Sequence, residues 1–281
     1  MIHILLQGRT GNNLFQYAVG RHLAIRHKTE LELDISWMGG ALAVQMRELE
    51  RLPITVKIVQ RWSTVKKAIR QITGKGPEAW HRGAVYRESG YVPGFLPEVL
   101  EQPDGVLLIG FFLNERYFSG IETELRAELS LDDIQLGPSS MRTLDAIQSR
   151  PTVSLHVRRG DYLKISATQC VDDNYHINAC RYLQERYSNL EFFIFSDDIP
   201  WCRRHFTGEE FRFCDHPDQA EDPFHDLKLM ASCDHHIVMN SSYSWWGAWL
   251  NPSRQKIVVA PKMWMKGVDS SNVTPQSWIL L

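Results

Sequence analysis

The sequence predicts an α/β fold built on mostly parallel sheet, and three observations carry that expectation. From Val153 to Ala260, short apolar runs alternate with stretches at helical spacing. Strands that alternate with helices give βαβ units and a parallel sheet. The chain also opens as a strand over 3–7, a glycine-bearing turn over 8–13 and a helix over 14–26. That layout points free backbone N–H groups at an anion or a sugar, or else is a plain tight turn. Finally, the 281 residues are 43% hydrophobic and 23% charged, as in ordinary globular proteins. Such a length makes one large domain or two of about 140 residues each.

In the first half, 30–35 and 54–59 read as further strands, with Gly39-Gly40 marking a loop between them. Trp62, Val65, Ile69 and Ile72 fall on one helical face, and Arg61, Lys66, Lys67 and Arg70 lie elsewhere. Lys75, Arg82 and Arg87 extend this basic character over 57–87. A basic amphipathic helix either packs its apolar side on a core or touches anionic lipid, so peripheral membrane contact stays open. A strongly apolar strand over 105–112 leads to a helix start at 113–118 and a helix over 121–129. Leu136-Gly137-Pro138-Ser139-Ser140 reads as a boundary, dividing a first domain over 1–137 from a second over 138–281. A helix over 141–148 opens the second domain.

The second half is regular. Strands are expected over 153–157, 191–195, 211–214, 236–239 and 256–260. Helices are expected over 175–187, 200–205, 222–232 and 244–250. Ligands of such sheets sit at the carboxyl ends of the strands. The first strand ends in His156, Arg158 and Arg159, with Gly160 and Asp161 next. The second ends in Ser196, Asp197 and Asp198, and a later one in Asn240, Ser241 and Ser242. Arginine forks, an amide, hydroxyls and a helix start suit a diphosphate. Carboxylates suit the amino edge of a base or a ribose hydroxyl. Each part also has a structural reading: an ion pair of Arg158 with Asp161, Asp198 as an N-cap, Ser242 as a cap, and Trp245, Trp246 and Trp249 as core.

Composition excludes other classes. A net charge of −2 gives no pull toward nucleic acid. Five cysteines, an odd number with no C-x-x-C pair, argue against a disulfide framework or zinc site and fit a reducing cytosol. The N-terminal apolar run is too short for a signal peptide, and no stretch approaches a membrane span. The expected location is therefore cytoplasmic, with peripheral contact at the inner face of the membrane left open.

His156-Val157-Arg158-Arg159-Gly160-Asp161-Tyr162 resembles the H-x-R-R-x-D motif of fucosyltransferases. Phe195-Ser196-Asp197-Asp198 and Asn240-Ser241-Ser242-Tyr243-Ser244-Trp245-Trp246-Gly247-Ala248-Trp249 resemble the next two blocks of the alpha-1,2-fucosyltransferases, glycosyltransferase family 11. Gln7-Gly8 through Gly11-Asn12-Asn13-Leu14-Phe15-Gln16-Tyr17-Ala18 is similar to that family's N-terminal block, departing from it at Arg9, Thr10 and Asn13. The resemblance implies a GT-B-like architecture, two Rossmann-like domains facing each other across a cleft. The first would lie on the acceptor side and the second would bind GDP-fucose. It also implies inverting, metal-independent transfer of L-fucose to the 2-hydroxyl of a galactose-terminated oligosaccharide or lipid-linked glycan. No cofactor is implied, because GDP-fucose is a substrate. The absence of an anchor makes the chain resemble the bacterial members.

On this reading Gly11, Asn12, His156, Arg158, Arg159, Ser196, Asp197, Asp198, Asn240, Ser241 and Ser242 bind the nucleotide sugar. Arg158 is the expected catalytic cation. Asp161 is either the general base or an orienter of an arginine, and His156 is a lesser candidate for the base. Three rival readings stay open: a metal-dependent transferase or nucleotidyltransferase with Asp197 and Asp198 as ligands, a glycan-binding module with the Trp-rich helix as platform, and a fucosyltransferase of α-1,6 or protein O-linked type.

Overall fold

The computed structural model describes residues 1–36, 47–60, 81–89, 93–172, 174–215 and 222–281. The basic helix expected around 62–72 and the Gly39-Gly40 loop lie outside the described residues. The chain divides into two compact units, Met1–Ser130 and Leu131–Leu281.

The first unit carries β1 (Ile2–Leu5), α1 (Thr10–His27), β2 (Leu31–Asp34), β3 (Lys57–Val59), β4 (Val85–Arg87), β5 (Leu107–Ile109) and α2 (Glu122–Glu128). Its five strands lie in the order β3-β2-β1-β5-β4, with every pairing parallel. The chain steps outward from β1 to β3 and then returns on the far side of β1. The direction reverses between β1 and β5, and the carboxyl ends of strands at such a point are where these sheets carry ligands. Gly8 makes the turn out of β1 at φ +78, a region that side chains resist. Arg9 stays extended and its carbonyl accepts the Asn13 N–H at 3.1 Å, so α1 starts at Thr10 rather than at residue 14. The expected strand over 105–112 shrinks to three residues, because Gly105 (φ +85) turns before it and Phe112 (φ +54) leaves the sheet plane after it. Strand β4 was not foreseen. Its three residues are half-buried or exposed and carry no alternation to read.

The second unit holds α3 (Pro138–Ile147), β6 (Thr152–Val157), α4 (Tyr175–Gln184), β7 (Glu191–Ser196), α5 (Ile199–His205), β8 (Phe211–Phe213) and α6 (Pro223–Ala231). It continues through β9 (His235–Ile237), α7 (Ser242–Leu250), β10 (Val258–Ala260), β11 (Met263–Met265), β12 (Val268–Asp269) and β13 (Ile279–Leu280). Six strands form one parallel sheet in the order β13-β10-β9-β6-β7-β8. This is the dinucleotide-fold order, three strands outward and three back, with its switch point between β6 and β9. The β11–β12 hairpin stands apart from it.

All six residues of β6 are buried, as a central parallel strand requires. Val153, Leu155 and Val157 join Phe192, Ile194, Leu183 and Ile237 in the core. Ser154 Oγ of β6 meets His236 Nδ1 at 2.8 Å, and Asn251 Nδ2, just past α7, meets His236 Nε2 at 2.9 Å. The units part ahead of the expected boundary at 137. Lys228 Nζ on α6 donates to the carbonyls of Asp132 and Ile134 at 2.8 and 2.9 Å, and Leu131 and Ile134 are buried, which joins this segment to the second unit. Two Rossmann-like units in one chain make a GT-B-like composition.

Candidate active site

The strand register brings the charged residues of the second unit together. Val157 on β6 lies beside Ser196 on β7, so the next two residues of each strand run on in parallel. Arg158 and Arg159 thereby meet Asp197 and Asp198. Arg158 spreads its fork over two carboxylates, with Nη2 2.7 Å from Asp161 Oδ1 and Nη1 3.1 Å from Asp197 Oδ2. Its guanidinium also stands 5.6 Å from the centre of the Tyr162 ring. Arg159 turns the other way, with Nε 3.2 Å from Asp198 Oδ2 and its guanidinium 4.0 Å over the Trp201 ring. Two carboxylates on one fork fix the guanidinium before any ligand arrives, and such preorganisation makes a charge useful in catalysis.

The carboxylates are fixed in turn. Asp197 Oδ1 accepts the Arg159 backbone N–H at 2.8 Å. Asp198 Oδ1 accepts the Trp201 N–H at 3.0 Å and so caps α5, the structural role its position suggested. That bond, followed by Arg159, holds the Asp198 carboxyl below its usual range. Ser196 Oγ accepts the Asp198 N–H at 3.0 Å. Gly160 leaves no room for a side chain: a Cβ there would stand 2.6 Å from Asp197 Oδ2.

Across the switch point, Asn240 follows β9 and is 2% exposed. Its Nδ2 donates to the carbonyls of Thr168 and Trp264 at 3.1 and 2.9 Å, and its own carbonyl accepts the Tyr162 hydroxyl at 3.0 Å. Asn240 Oδ1 is buried with no hydrogen-bond partner among the described residues, and so is His156 Nδ1 on β6. Buried polar atoms are almost always paired, so two orphans flanking one switch point call for a ligand or ordered water. Burial, then the Arg158 charge, pushes the His156 pKa down to about 3, so its ring is neutral. Its carbonyl faces His176 Nε2 at 3.2 Å, and burial pushes the His176 pKa down to about 4. Ser241 is the N-cap residue of α7 without a side-chain cap bond, and Ser242 is that helix's first residue.

Trp245 and Trp246 are wholly buried and Trp249 is 5% exposed, so the Trp-rich helix is core and offers no platform to a glycan. Tyr243, whose ring centre lies 6.1 Å from that of His156, donates its hydroxyl to the Pro223 carbonyl. In the first turn of α6, burial and then the neighbouring Asp222 carboxylate push the Asp226 pKa up to about 6.

Gly11 and Asn12 lie in the first turn of α1, in the first unit. Around them runs an amide network. Asn13 Nδ2 donates to the Gln7 carbonyl at 3.0 Å and to Gln16 Oε1 at 2.9 Å, and Gln16 Nε2 donates to the Gly110 carbonyl at 2.7 Å. Asn13 Oδ1 is buried without a partner among the described residues. Just past β4, Glu88 Oε2 accepts the N–H groups of both Phe111 and Phe112, at 2.7 and 3.2 Å. Phe112 is fully buried at φ +54, a conformation that costs a non-glycine residue about 1–3 kcal/mol and persists only when its surroundings hold it.

The glycosyl transferase family 11 model matches residues 105–279. The chain is also 31% identical to an alpha-1,2-colitosyltransferase of Escherichia coli, over 98% of this chain and 96% of that protein. The chain belongs to glycosyl transferase family 11. Another relative is the Bos taurus galactoside 2-alpha-L-fucosyltransferase SEC1, 28% identical over 52% of this chain and 42% of that protein. Among solved structures, the NodZ alpha-1,6-fucosyltransferase soaked with GDP-fucose is similar in fold, with a TM-score of 0.52 at 14% identity, covering 89% of this chain and 92% of that one. The Arg158–Asp197 cluster lies within the matched residues.

Sequence reasoning missed four residues near these sites. Tyr162 had a signal, since it ends the arginine motif. Trp201 had a weaker one, three residues after the cap at Asp198. Asp226 and Glu88 had none, because only packing lifts a carboxyl out of its usual range. Among the described residues, no three His, Cys, Asp or Glu side chains converge as metal ligands do, and no helix is long and apolar enough to cross a membrane.

Proposed function

We propose that the chain moves L-fucose from GDP-β-L-fucose to the 2-hydroxyl of a terminal β-galactoside, forming an α-1,2-fucoside with inversion and without a metal. The observation that carries this reading is the Arg158 fork, held by Asp161 and Asp197 at the second unit's switch point in a family 11 chain. The acceptor oxygen bonds to the anomeric carbon as the bond from that carbon to the β-phosphate oxygen breaks. The bonding pair stays on the diphosphate, and the hydroxyl proton leaves to a base or to water. Arg158 meets the growing negative charge, a role that metal-dependent transferases give to a cation. Arg159 and the start of α7 assist. Asp161 is bonded to Arg158, which favours orienting the fork over taking the proton. The unsatisfied His156 Nδ1 and Asn240 Oδ1 are the groups we assign to donor contacts.

The colitosyltransferase relative, similar over nearly the whole chain, supports a second donor, GDP-colitose. The test is GDP release with lactose from each donor in parallel, with EDTA present, for the parent and Arg158→Ala. Turnover that survives EDTA and collapses in the variant is the expected result, and the faster donor decides the sugar. Turnover lost to EDTA and restored by Mg²⁺ would overturn the metal-free step.

A further inference from the structure

We propose that Tyr162 is the positioning residue of the Arg158 fork, tied to the far strand tail by its hydroxyl and backing the guanidinium with its ring. This deepens the transfer reading and rests on it. The chain after the two arginines makes one tight turn, with the Leu163 N–H on the Arg159 carbonyl at 2.8 Å and the Lys164 N–H on the Asp161 carbonyl at 3.0 Å. That turn brings Asp161 back to Arg158 and sends the Tyr162 side chain toward the tail of β9. Leu155 pairs with Ile237, so three residues further on Arg158 and Asn240 leave the sheet edge as neighbours. The Tyr162 hydroxyl donates to the Asn240 carbonyl at 3.0 Å, across 78 residues of sequence. Its ring centre stands 5.6 Å from the Arg158 guanidinium carbon, within cation–π reach.

The tie is one side of a closed circuit. Asn240 Nδ2 donates to the Thr168 carbonyl at 3.1 Å, and Thr168 Oγ1 stands 3.2 Å from the Tyr162 carbonyl. A shift of any one member strains the other two bonds, so the tail of β9 sets where the aromatic ring lies. The chemistry of this wall matters. Asp161 and Asp197 already set two negative charges against the single positive charge of Arg158. A third carboxylate would hold the fork as well, but it would repel a diphosphate. A neutral ring attracts the cation through its face and leaves the charge for the ligand. Because the hydroxyl gives its hydrogen to Asn240, Tyr162 acts through Arg158 and takes no proton from the acceptor.

The experiment is a double-mutant cycle of Tyr162→Leu with Arg158→Lys, read in kcat per folded molecule. We expect Tyr162→Leu to lower kcat about tenfold in the parent, with the acceptor KM unchanged, and less than about threefold in the Arg158→Lys background, where there is no fork to hold. Tyr162→Phe keeps the ring and loses only the tie, so its loss should fall between, at about threefold. The same factor in both backgrounds, the mark of a purely structural role, overturns the proposal, as does Tyr162→Leu with the parental rate. A second readout needs no reaction. Exchange of the Arg158 Nε–H hydrogen with water, followed by nitrogen-edited NMR in the ligand-free protein, should quicken several-fold in Tyr162→Leu; an unchanged rate overturns the proposal. If the parent transfers sugar from neither GDP-fucose nor GDP-colitose, the proposed reaction falls, and the exchange rates still decide the role of Tyr162. If Tyr162→Leu does not fold, Tyr162→Phe replaces it in both measurements. A loss of about threefold that vanishes in the Arg158→Lys background is then expected, and no loss overturns the proposal.

Discussion

Gly160→Ala adds one methyl group and tests how the Arg158 fork is held. The backbone at Gly160 is not in the left-handed region, so alanine brings no backbone strain there and only the new Cβ matters. That Cβ would stand 2.6 Å from Asp197 Oδ2, against 3.4 Å for ordinary contact, so the carboxylate gives way by about 0.8 Å. If the 3.1 Å contact with Arg158 Nη1 opens to about 3.9 Å, the attraction at an effective dielectric of about 20 weakens by about 1 kcal/mol. The two side chains are 18% and 26% exposed, and solvent screening brings the stability loss below that figure. Catalysis should suffer more, because a misplacement of 1 Å in a positioned group costs up to about a hundredfold in rate. We expect a fall in kcat of about tenfold or more, with a shift in melting temperature of less than about 4 °C. The assay is a double-mutant cycle of Gly160→Ala with Asp197→Ala, read in kcat and in thermal midpoint. Once the carboxylate is gone the methyl has nothing to strike, so Gly160→Ala should then add little. Additive effects, or a single variant as active as the parent, would refute the argument.

The remaining predictions concern charge. Arg158→Lys should lower kcat about 10²–10³-fold, because a point charge cannot span Asp161 and Asp197 and meet a third anion; near-parental steady-state rates would refute this. His176, with its pKa pushed down to about 4, binds fewer protons folded than unfolded, so its contribution is complete above pH 6.5 and is lost as pH falls toward 4. At pH 5 that loss is about 2 kcal/mol, so His176→Gln should narrow the gap in melting temperature between pH 7.5 and pH 5; an unchanged gap counts against it. Asp226 is opposite in sign. With its pKa pushed up to about 6, the folded protein holds that proton more tightly, and stability falls as pH rises from about 4 through 6. Asp226→Asn should therefore stabilise at pH 8, by at most about 3 kcal/mol, and do little at pH 4; calorimetry at both pH values decides.

The second unit was the more legible half, for a physical reason. Its strands are short apolar runs bounded by polar tails, and in a parallel sheet those tails share one edge whatever the details of packing. The sequence alone therefore groups Arg158, Asp197 and Asn240. The pair of Arg158 with Asp161 was legible too, but the sequence could not show that Arg158 also meets Asp197 while Arg159 meets Asp198. That follows from the register of Val157 with Ser196, a long-range fact. The structural readings also proved real: Asp198 caps a helix while bonding Arg159, and the tryptophans are core. The first unit was harder. Its β4 is a three-residue edge strand with no pattern, and the turn at Phe112 depends on Glu88, 24 residues earlier.

The order in which the switch point is assembled has a kinetic side. Arg158, Asp161, Asp197 and Asp198 belong to a single β-α-β unit, so the charged half of the switch point needs only local chain closure. The other half arrives with β9, tied to β6 by a bond such as Ser154–His236 across 82 residues. A ligand that touches both halves would be the last piece to enter and would hold the late strand against the early one. During synthesis the charge cluster could thus form well before its partner side has been made. Donor nucleotide should then slow unfolding of the β6–β9 edge more than of the β6–β7 edge, as hydrogen exchange could resolve.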